Sequence, residues 1–314
     1  MEFFHKVSNF PFMHTRRVWY GVSAVAIIGS ILLLVFRGLN MGIDFTGGVV
    51  VELEFPQAIN LEQVRGALRA AGLPDNGVQS VGGDRQVLVR VLPDGATDDK
   101  EVQSLSDKVL AALKSVDPNV EVRRADVLGK QVGDELYNQG GLAMLFTFVF
   151  ILIYVAFRFH SIKLGAGAIL AAMHDPILIF GVFSLTQITF DLSAVAAILA
   201  VIGYSLNDTV VVFDRVRENF LSMRKTPPEQ VLNSAVNQTL SRTVITSGAT
   251  FMVVMVLLLL GGESLKSFST ALTVGIVVGT YSSIYVAAAL ALDFGLTATD
   301  LMPVQKDKEL DAMP

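Results

Sequence analysis

Six stretches of this chain carry almost no charge and are each about as long as a lipid bilayer is thick, which leaves few folds open to it. They cover residues 18–36, 137–157, 164–185, 192–213, 243–262 and 268–292. At about 1.5 Å of rise per residue, each matches the ~30 Å hydrocarbon core of a membrane. Across all 314 residues 52% are hydrophobic and 17% charged, against roughly 25% charged in an average soluble protein. That balance excludes a disordered chain and argues against a single soluble domain. The sequence predicts a polytopic α-helical membrane protein with six transmembrane helices.

Lys6, Arg16 and Arg17 precede the first run, as basic residues precede a signal peptide. Its 19 uncharged residues exceed a cleavable core of about 7 to 15, and no small-x-small cleavage site precedes Arg37. The expectation is a retained anchor. Arg158 and Lys163 flank the second and third runs, and Arg215, Arg217, Arg224 and Lys225 follow the fourth. The opposite short loops, 186–191 and 263–267, contain a single basic residue, Lys266. The positive-inside rule then places both termini in the cytoplasm, with residues 1–17 and the polar, disordered tail 293–314 on that side.

Residues 37–136 lie on the other face and hold 16 acidic and 11 basic residues, which accounts for the whole net charge of −5. An acidic extramembrane domain is not a nucleic-acid footprint. Residues 49–55 alternate with Glu52 and Glu54 on one face; 61–71 reads as a helix ended by Gly72 and Pro74. Two strands, 78–81 and 86–92, flank a Gly82-Gly83-Asp84 turn, a helix over 98–116 follows, and 120–125 closes the series. Strand, helix, strand, strand, helix, strand is the order of an α+β ferredoxin-like domain. A second connection, 214–242, contains Thr226-Pro227-Pro228-Glu229, which fits a capping box. Val231, Leu232, Ala235, Val236 and Leu240 then recur on one face. This predicts an amphipathic helix, lying on the membrane, against another subunit, or simply covered by its own chain.

Ionisable residues inside a span cost about 2.5–3.5 kcal/mol each on insertion scales. His174 and Asp175 in the third run and Asp208 in the fourth are such residues, with uncharged Asn207 beside Asp208 and Arg242 at the entry to the fifth. Asp208 and Arg242 approach from the same side at similar depth, so they can face one another as a proton-carrying pair. The bland alternatives are a static tie between helices, or an arginine that reaches the headgroups while the aspartate finds water. His174 and Asp175 are adjacent, about 100° apart on a helix, and are not expected to face each other. Pro176 is expected to kink that helix, and His174 is either a proton-path residue or a packed histidine. Gly275 and Gly279 form a Gly-x-x-x-Gly pattern that allows close helix contact.

The chain has no cysteine, so disulfides, thiolate nucleophiles and cysteine-bound metals are excluded. Its four histidines make no His-Glu-x-x-His site, and there is no Walker loop or Gly-x-Ser-x-Gly elbow. No catalytic residue, metal or cofactor is expected.

Two segments, 40–48 (Asn-Met-Gly-Ile-Asp-Phe-Thr-Gly-Gly) and 203–219, running from Gly203 through Asn207, Asp208 and Asp214 to Asn219, together resemble the SecF side of the SecD/SecF family. That family serves bacterial protein export and belongs to the resistance-nodulation-division (RND) superfamily. His174-Asp175 and the segment 241–247 are similar to it too. The resemblance implies one six-helix half of a pseudo-symmetric pair, with a periplasmic domain between helices 1 and 2. It implies SecD as the other half, the SecYEG channel, SecA indirectly, YajC and the translocating preprotein as partners, and the inner membrane as the location. The implied energy source is the proton gradient, used to promote late translocation and release. Asp208 and Arg242 are then the proton pathway, with His174, Asp175 and Asn207 auxiliary. Gly42, Asp44, Phe45, Thr46, Gly47 and Gly48 shape the joint between membrane and periplasmic domain. Two other readings remain open: half of an RND-type exporter of a small apolar compound or lipid, and a non-conducting scaffold.

Overall fold

The computed structural model describes residues 8–75, 77–81, 83–91, 99–159 and 161–301. Lys6, His160, Gly82 of the expected turn, Asp98 at the expected helix start, and the tail beyond Leu301 lie outside the described residues. Among the described residues, six helices are long and apolar enough to span a membrane. They are α1 (Arg16–Phe36), α5 (Lys130–Arg158), α6 (Ile162–Thr186), α7 (Leu192–Ser222), α8 (Pro228–Leu260) and a last span assembled from three pieces. That span runs as α9 (Lys266–Ser282), a π-helical turn (Ser283–Ala287) and α10 (Ala288–Asp293).

The spans are not equivalent. More than half of the apolar window is buried in α6, α7 and the last span, but only 11–17% in α1, α5 and α8. The first three make the interior and the others present apolar flanks, including Val25, Phe150, Met252 and Leu259, outward. Glycine sets how closely the inner helices approach. A Cβ at Gly275 would collide with Val201 of α7, one at Gly279 would lie 3.0 Å from the Cβ of Ser205, and one at Gly167 of α6 would lie 2.7 Å from the Ala287 carbonyl in the π turn. The Gly-x-x-x-Gly pattern is thus the contact between the last span and α7. Pro176 sits inside α6 without ending the helix.

Between α1 and α5 lies the domain. After the one-turn α2 (Ile43–Thr46) come β1 (Gly48–Glu54), α3 (Leu61–Ala70), β2 (Val78–Ser80), β3 (Gln86–Val91), α4 (Asp99–Lys114) and β4 (Glu121–Leu128). The strands pair antiparallel in the order β2-β3-β1-β4, the ferredoxin-like arrangement. Alternation decides the faces: Val49, Val51 and Leu53 join Val87, Val89 and Val91 beneath Val64, Leu68, Val109 and Leu113 of the two helices. Val50, Glu52, Leu88 and Arg90 take the other face and line a cleft of about 610 Å³ above the ends of the spans. Asn60 caps α3 by accepting from the Glu62 amide at 2.9 Å, and Gly72 ends it at φ 72°.

Three differences from the sequence reading bear on the site. The domain runs straight into α5 at Lys130, because polar residues 130–136 extend the helix beyond the apolar run. α7 continues past Phe213 to Ser222, so Asp208 is its 17th residue of 31 and lies at mid-helix. α8 is unbroken from Pro228 to Leu260: the connector's amphipathic helix and the fifth span are one rod, with Arg242 near its middle. Pro227 holds the N-cap position and makes no side-chain cap bond, so the expected capping box does not form; Glu229 instead lies 3.4 Å from Arg16. The apolar face of that rod is buried within this chain, where Val231, Leu232, Ala235 and Val236 pack with Met13, Val216, Phe220 and Leu296. The N-terminal segment is strapped across it by Phe10 N–H to Asn237 Oδ1 (2.8 Å), Asn237 Nδ2–H to Phe10 O (2.9 Å) and Met13 N–H to Asn233 Oδ1 (3.2 Å).

Gly47 adopts φ 68° and ψ 177°, a region open almost only to glycine, and a Cβ there would lie 2.9 Å from Lys130 Cα. Gly47→Ala is expected to destabilise the protein by about 1–3 kcal/mol from the backbone alone, read as a lower unfolding temperature in detergent. Gly66→Ala, where nothing lies within 4 Å, is expected to be neutral or slightly stabilising.

Candidate functional site

A polar group inside a bundle must find its partner there. Asp175 of α6 is fully buried and His174 almost so. Asp175 Oδ2 accepts from Ser205 Oγ of α7 at 2.5 Å and from Ser282 Oγ of α9 at 3.0 Å. His174 Nδ1 lies 3.0 Å from Asp175 Oδ1. The two side chains therefore do pair, contrary to the sequence expectation. A 100° step separates their Cβ atoms, but the side chains reach toward one another above the backbone. His174 Nε2 is buried with no hydrogen-bond partner among the described residues, so the ring is not a fully satisfied packing histidine.

Asp208, one helical turn beyond Ser205, is half-buried. Its Oδ1 accepts from Thr243 Oγ1 of α8 at 2.7 Å and its Oδ2 from Ser283 Oγ at 2.6 Å. Arg242 lines the same cleft of about 380 Å³, with Tyr204, Asn207, Thr246 and Thr250. No Asp208–Arg242 ion pair forms among the described residues; the neighbouring Thr243 takes that place. Residues 242 and 243 point to different sides of α8, so the buried threonine faces the bundle while Arg242 and Asn207 are exposed on its flank. A further layer of hydroxyls joins the same helices, Thr280 Oγ1 donating to Ser247 Oγ at 2.8 Å and Tyr204 to Ser247 at 3.3 Å.

The residues 42–48 form a second constellation where the domain meets the spans. Between Gly42 and Gly47, α2 makes a single turn. Asp44 Oδ2 accepts from the Leu192 amide at 2.8 Å, and Asp191 accepts from the Ala194 amide at 2.9 Å. Two carboxylates thus sit at the positive end of α7. Gly42 donates to the Phe190 carbonyl at 2.7 Å and Phe190 donates to Asn40 at 2.8 Å. The Phe45 ring stacks on Phe190 and meets Tyr137 of α5 edge-on. A Cβ on Gly133 would lie 2.9 Å from Gly47 N, so α5 presses directly on the turn. Thr46 Oγ1 closes it by donating to Gly42 O at 3.0 Å. Arg90 bolts the sheet to this joint, donating to Asn40 Oδ1, Met41 O and Thr189 Oγ1 at 2.8–2.9 Å. Burial pulls its guanidinium below the ordinary value, while the Asp191 carboxylate pulls the other way.

Thus Asp208 shares a cleft with Arg242 and Asn207, His174 and Asp175 form a separate cluster, and residues 42–48 lie together at the domain-side end of α7. Sequence reasoning passed over Ser205, Thr243, Ser282, Ser283 and Gly133, because small hydroxyls and glycine cost little in a span and stand out only when an acid is found beside them. Thr243→Val removes the hydroxyl at nearly constant volume and is expected to cost about 1–3 kcal/mol, while exposed Arg242→Ala is expected to change stability by no more than about 0.5 kcal/mol. Thermal unfolding of the two variants in one detergent checks this, and equal losses would contradict the assignment of Thr243 as the partner.

Residues 108–297 match the family described as "Protein export membrane protein SecD/SecF, C-terminal", and residues 32–58 match the "SecD/SecF GG Motif". The chain is 48% identical to the protein translocase subunit SecF of Vibrio alginolyticus, over 96% of both chains. It is 44% identical to that of Pseudomonas aeruginosa, over 98% of this chain and 99% of the other. A crystal structure of SecDF from Thermus thermophilus, described as a translocon-associated membrane protein, superposes with a TM-score of 0.80 at 35% identity. The match covers 91% of this chain and 39% of that longer one. SecDF in a super-membrane-facing form superposes with a TM-score of 0.67 over the same shares. A half-chain domain match and near-full-length relatives lead to one conclusion: this multi-pass membrane protein belongs to the SecD/SecF family of protein-export membrane proteins.

Proposed function

We propose that the chain is the SecF half of a Sec export unit, working with SecD to promote late translocation and release of polypeptides, driven by the proton-motive force. Asp208 carries the proton. One observation carries this reading: a mid-helix carboxylate held by two hydroxyls in a cleft that also holds an arginine, with no ion pair to break when it is neutralised. When Asp208 takes a proton, Ser283 can turn its own hydrogen to the Thr280 carbonyl, which already lies 3.1 Å away. The group changes charge while its surroundings stay hydrogen-bonded.

Exposed Arg242 and Asn207 on the α7–α8 flank support a partner there. At the end of an apolar run, an arginine is met more favourably by an acidic or polar surface of a second membrane subunit than by lipid. The one-chain SecDF, of which this chain matches 39%, agrees with SecD as that subunit. SecYEG, SecA, YajC and the preprotein are the wider partners. The basic loops favour both termini in the cytoplasm of a bacterial inner membrane and the sheet domain in the periplasm. There the mechanical route is short. α7 carries Asp208 at its middle and is held by Asp44 and Phe190 at its domain end. A shift of α7 reaches the domain through that joint, more directly than through α1.

One elementary charge crossing 100 mV supplies about 2.3 kcal/mol, a bias of about fiftyfold between two arrangements. Preprotein release from membrane vesicles, with and without a proton gradient, tests the reading. Asp208→Asn is expected to reduce release to the level seen with the gradient collapsed, while SecD still co-purifies with the variant. Full gradient-dependent release by that variant would end the proton role.

A further inference from the structure

The two carboxylates are tied to two consecutive residues. Ser282 donates to Asp175 at 3.0 Å and Ser283 to Asp208 at 2.6 Å, where the last span leaves α-helix for its π turn. π turns inside α-helices are frequent at functional sites. Each hydroxyl has a second acceptor one turn back, the Gly279 carbonyl at 3.2 Å and the Thr280 carbonyl at 3.1 Å. A hydroxyl has one hydrogen to give, so either serine can leave its carboxylate without becoming an orphan donor.

The cluster around Asp175 also holds an unused base. With Nδ1 directed at a carboxylate, neutral His174 keeps its hydrogen on Nδ1 and leaves the Nε2 lone pair free. That nitrogen is buried and unpartnered among the described residues. Among the described residues, the titratable group facing the ring from a neighbouring element is Tyr281 of α9, whose ring centre is 6.0 Å away; Asp208 of α7 joins the cluster through the consecutive residues Ser282 and Ser283. From α1, Ser23 bonds the Tyr281 hydroxyl at 2.7 Å. No charged side chain of α1 or α5 bonds either residue among the described ones.

We infer that His174 and Asp175 form a second proton-holding site, held by Ser282 and Ser283 close enough to Asp208 that the two sites hold one proton between them. Here the proton adds to Nε2, giving an imidazolium beside the Asp175 carboxylate and taking the pair from net charge −1 to zero. Bringing a second proton to neighbouring Asp208 is then opposed electrostatically, and the reverse holds equally. The inference rests on the reading of Asp208 as a proton carrier and adds where the proton goes next.

The test uses ring-nitrogen magnetic resonance on the full chain with its partner subunit in lipid vesicles, with 15N-histidine and with His5, His14 and His160 replaced by Gln. His174 is left as the reporter, and the buried pair itself is unaltered. Nε2 is expected to gain its proton on acidification. In Asp208→Asn, a mimic of the protonated acid, its proton affinity is expected to fall by a factor in the ~5–150-fold range of coupled sites. An Nε2 that stays unprotonated throughout overturns the second site, and an unchanged midpoint in the variant overturns the sharing. Should gradient-dependent release survive in Asp208→Asn while Nε2 still titrates, the Asp208 reading fails and the second site stands alone.

Discussion

A polar group in a hydrocarbon slab has only protein to turn to, and the arrangement of these spans follows from that constraint. Both acids that enter the bundle are met by hydroxyls, each supplied by a different helix. The close approach of the last span to α7, set by Gly275 and Gly279, brings Ser283 within reach of Asp208 and Ser282 beside Ser205. A larger residue at either glycine would separate the helices and strand a carboxylate. Packing and electrostatics are thus one requirement: the small residues let the backbones touch, and the touching satisfies the charge.

α7 is the element that unites the molecule. Its domain end receives Asp44 and Asp191, its middle carries Ser205 and Asp208 on one side, and its far end packs Val216 and Phe220 against the start of α8. It runs unbroken from the joint with the sheet domain, through mid-bundle, to the far end. The joint is built for contact: at Gly42, Gly47 and Gly133 the backbones of the α2 turn, α5 and the start of α7 meet directly, with Phe45 filling the space beside them.

Much of this architecture is legible in the sequence because it follows from period and length. The six spans and the six domain elements are each announced by an apolar run or an alternation, and the order of the domain elements admits the sheet that forms. The ends of the rods are not legible in the same way. Hydropathy reports where lipid stops, whereas helices such as α7 and α8 continue into water wherever apolar side chains such as Val216 and Val231 find one another. The site divides likewise. Asp175 and Asp208 are conspicuous because burying charge is costly. Which groups meet them depends on helix rotation, a matter of 100° between Arg242 and Thr243 that one chain's pattern does not fix. The α2 turn escaped notice because four residues are too few to show a period.

The strap of residues around Phe10 and Met13 has a consequence for how the chain is made. Its anchor, Asn237, is separated from Ser8 by 229 positions. A ribosome must therefore finish four spans and begin the fifth before the strap has anything to hold. Until then the earliest polar segment waits unattached. Its docking ties the approach to the first span to the start of the fifth.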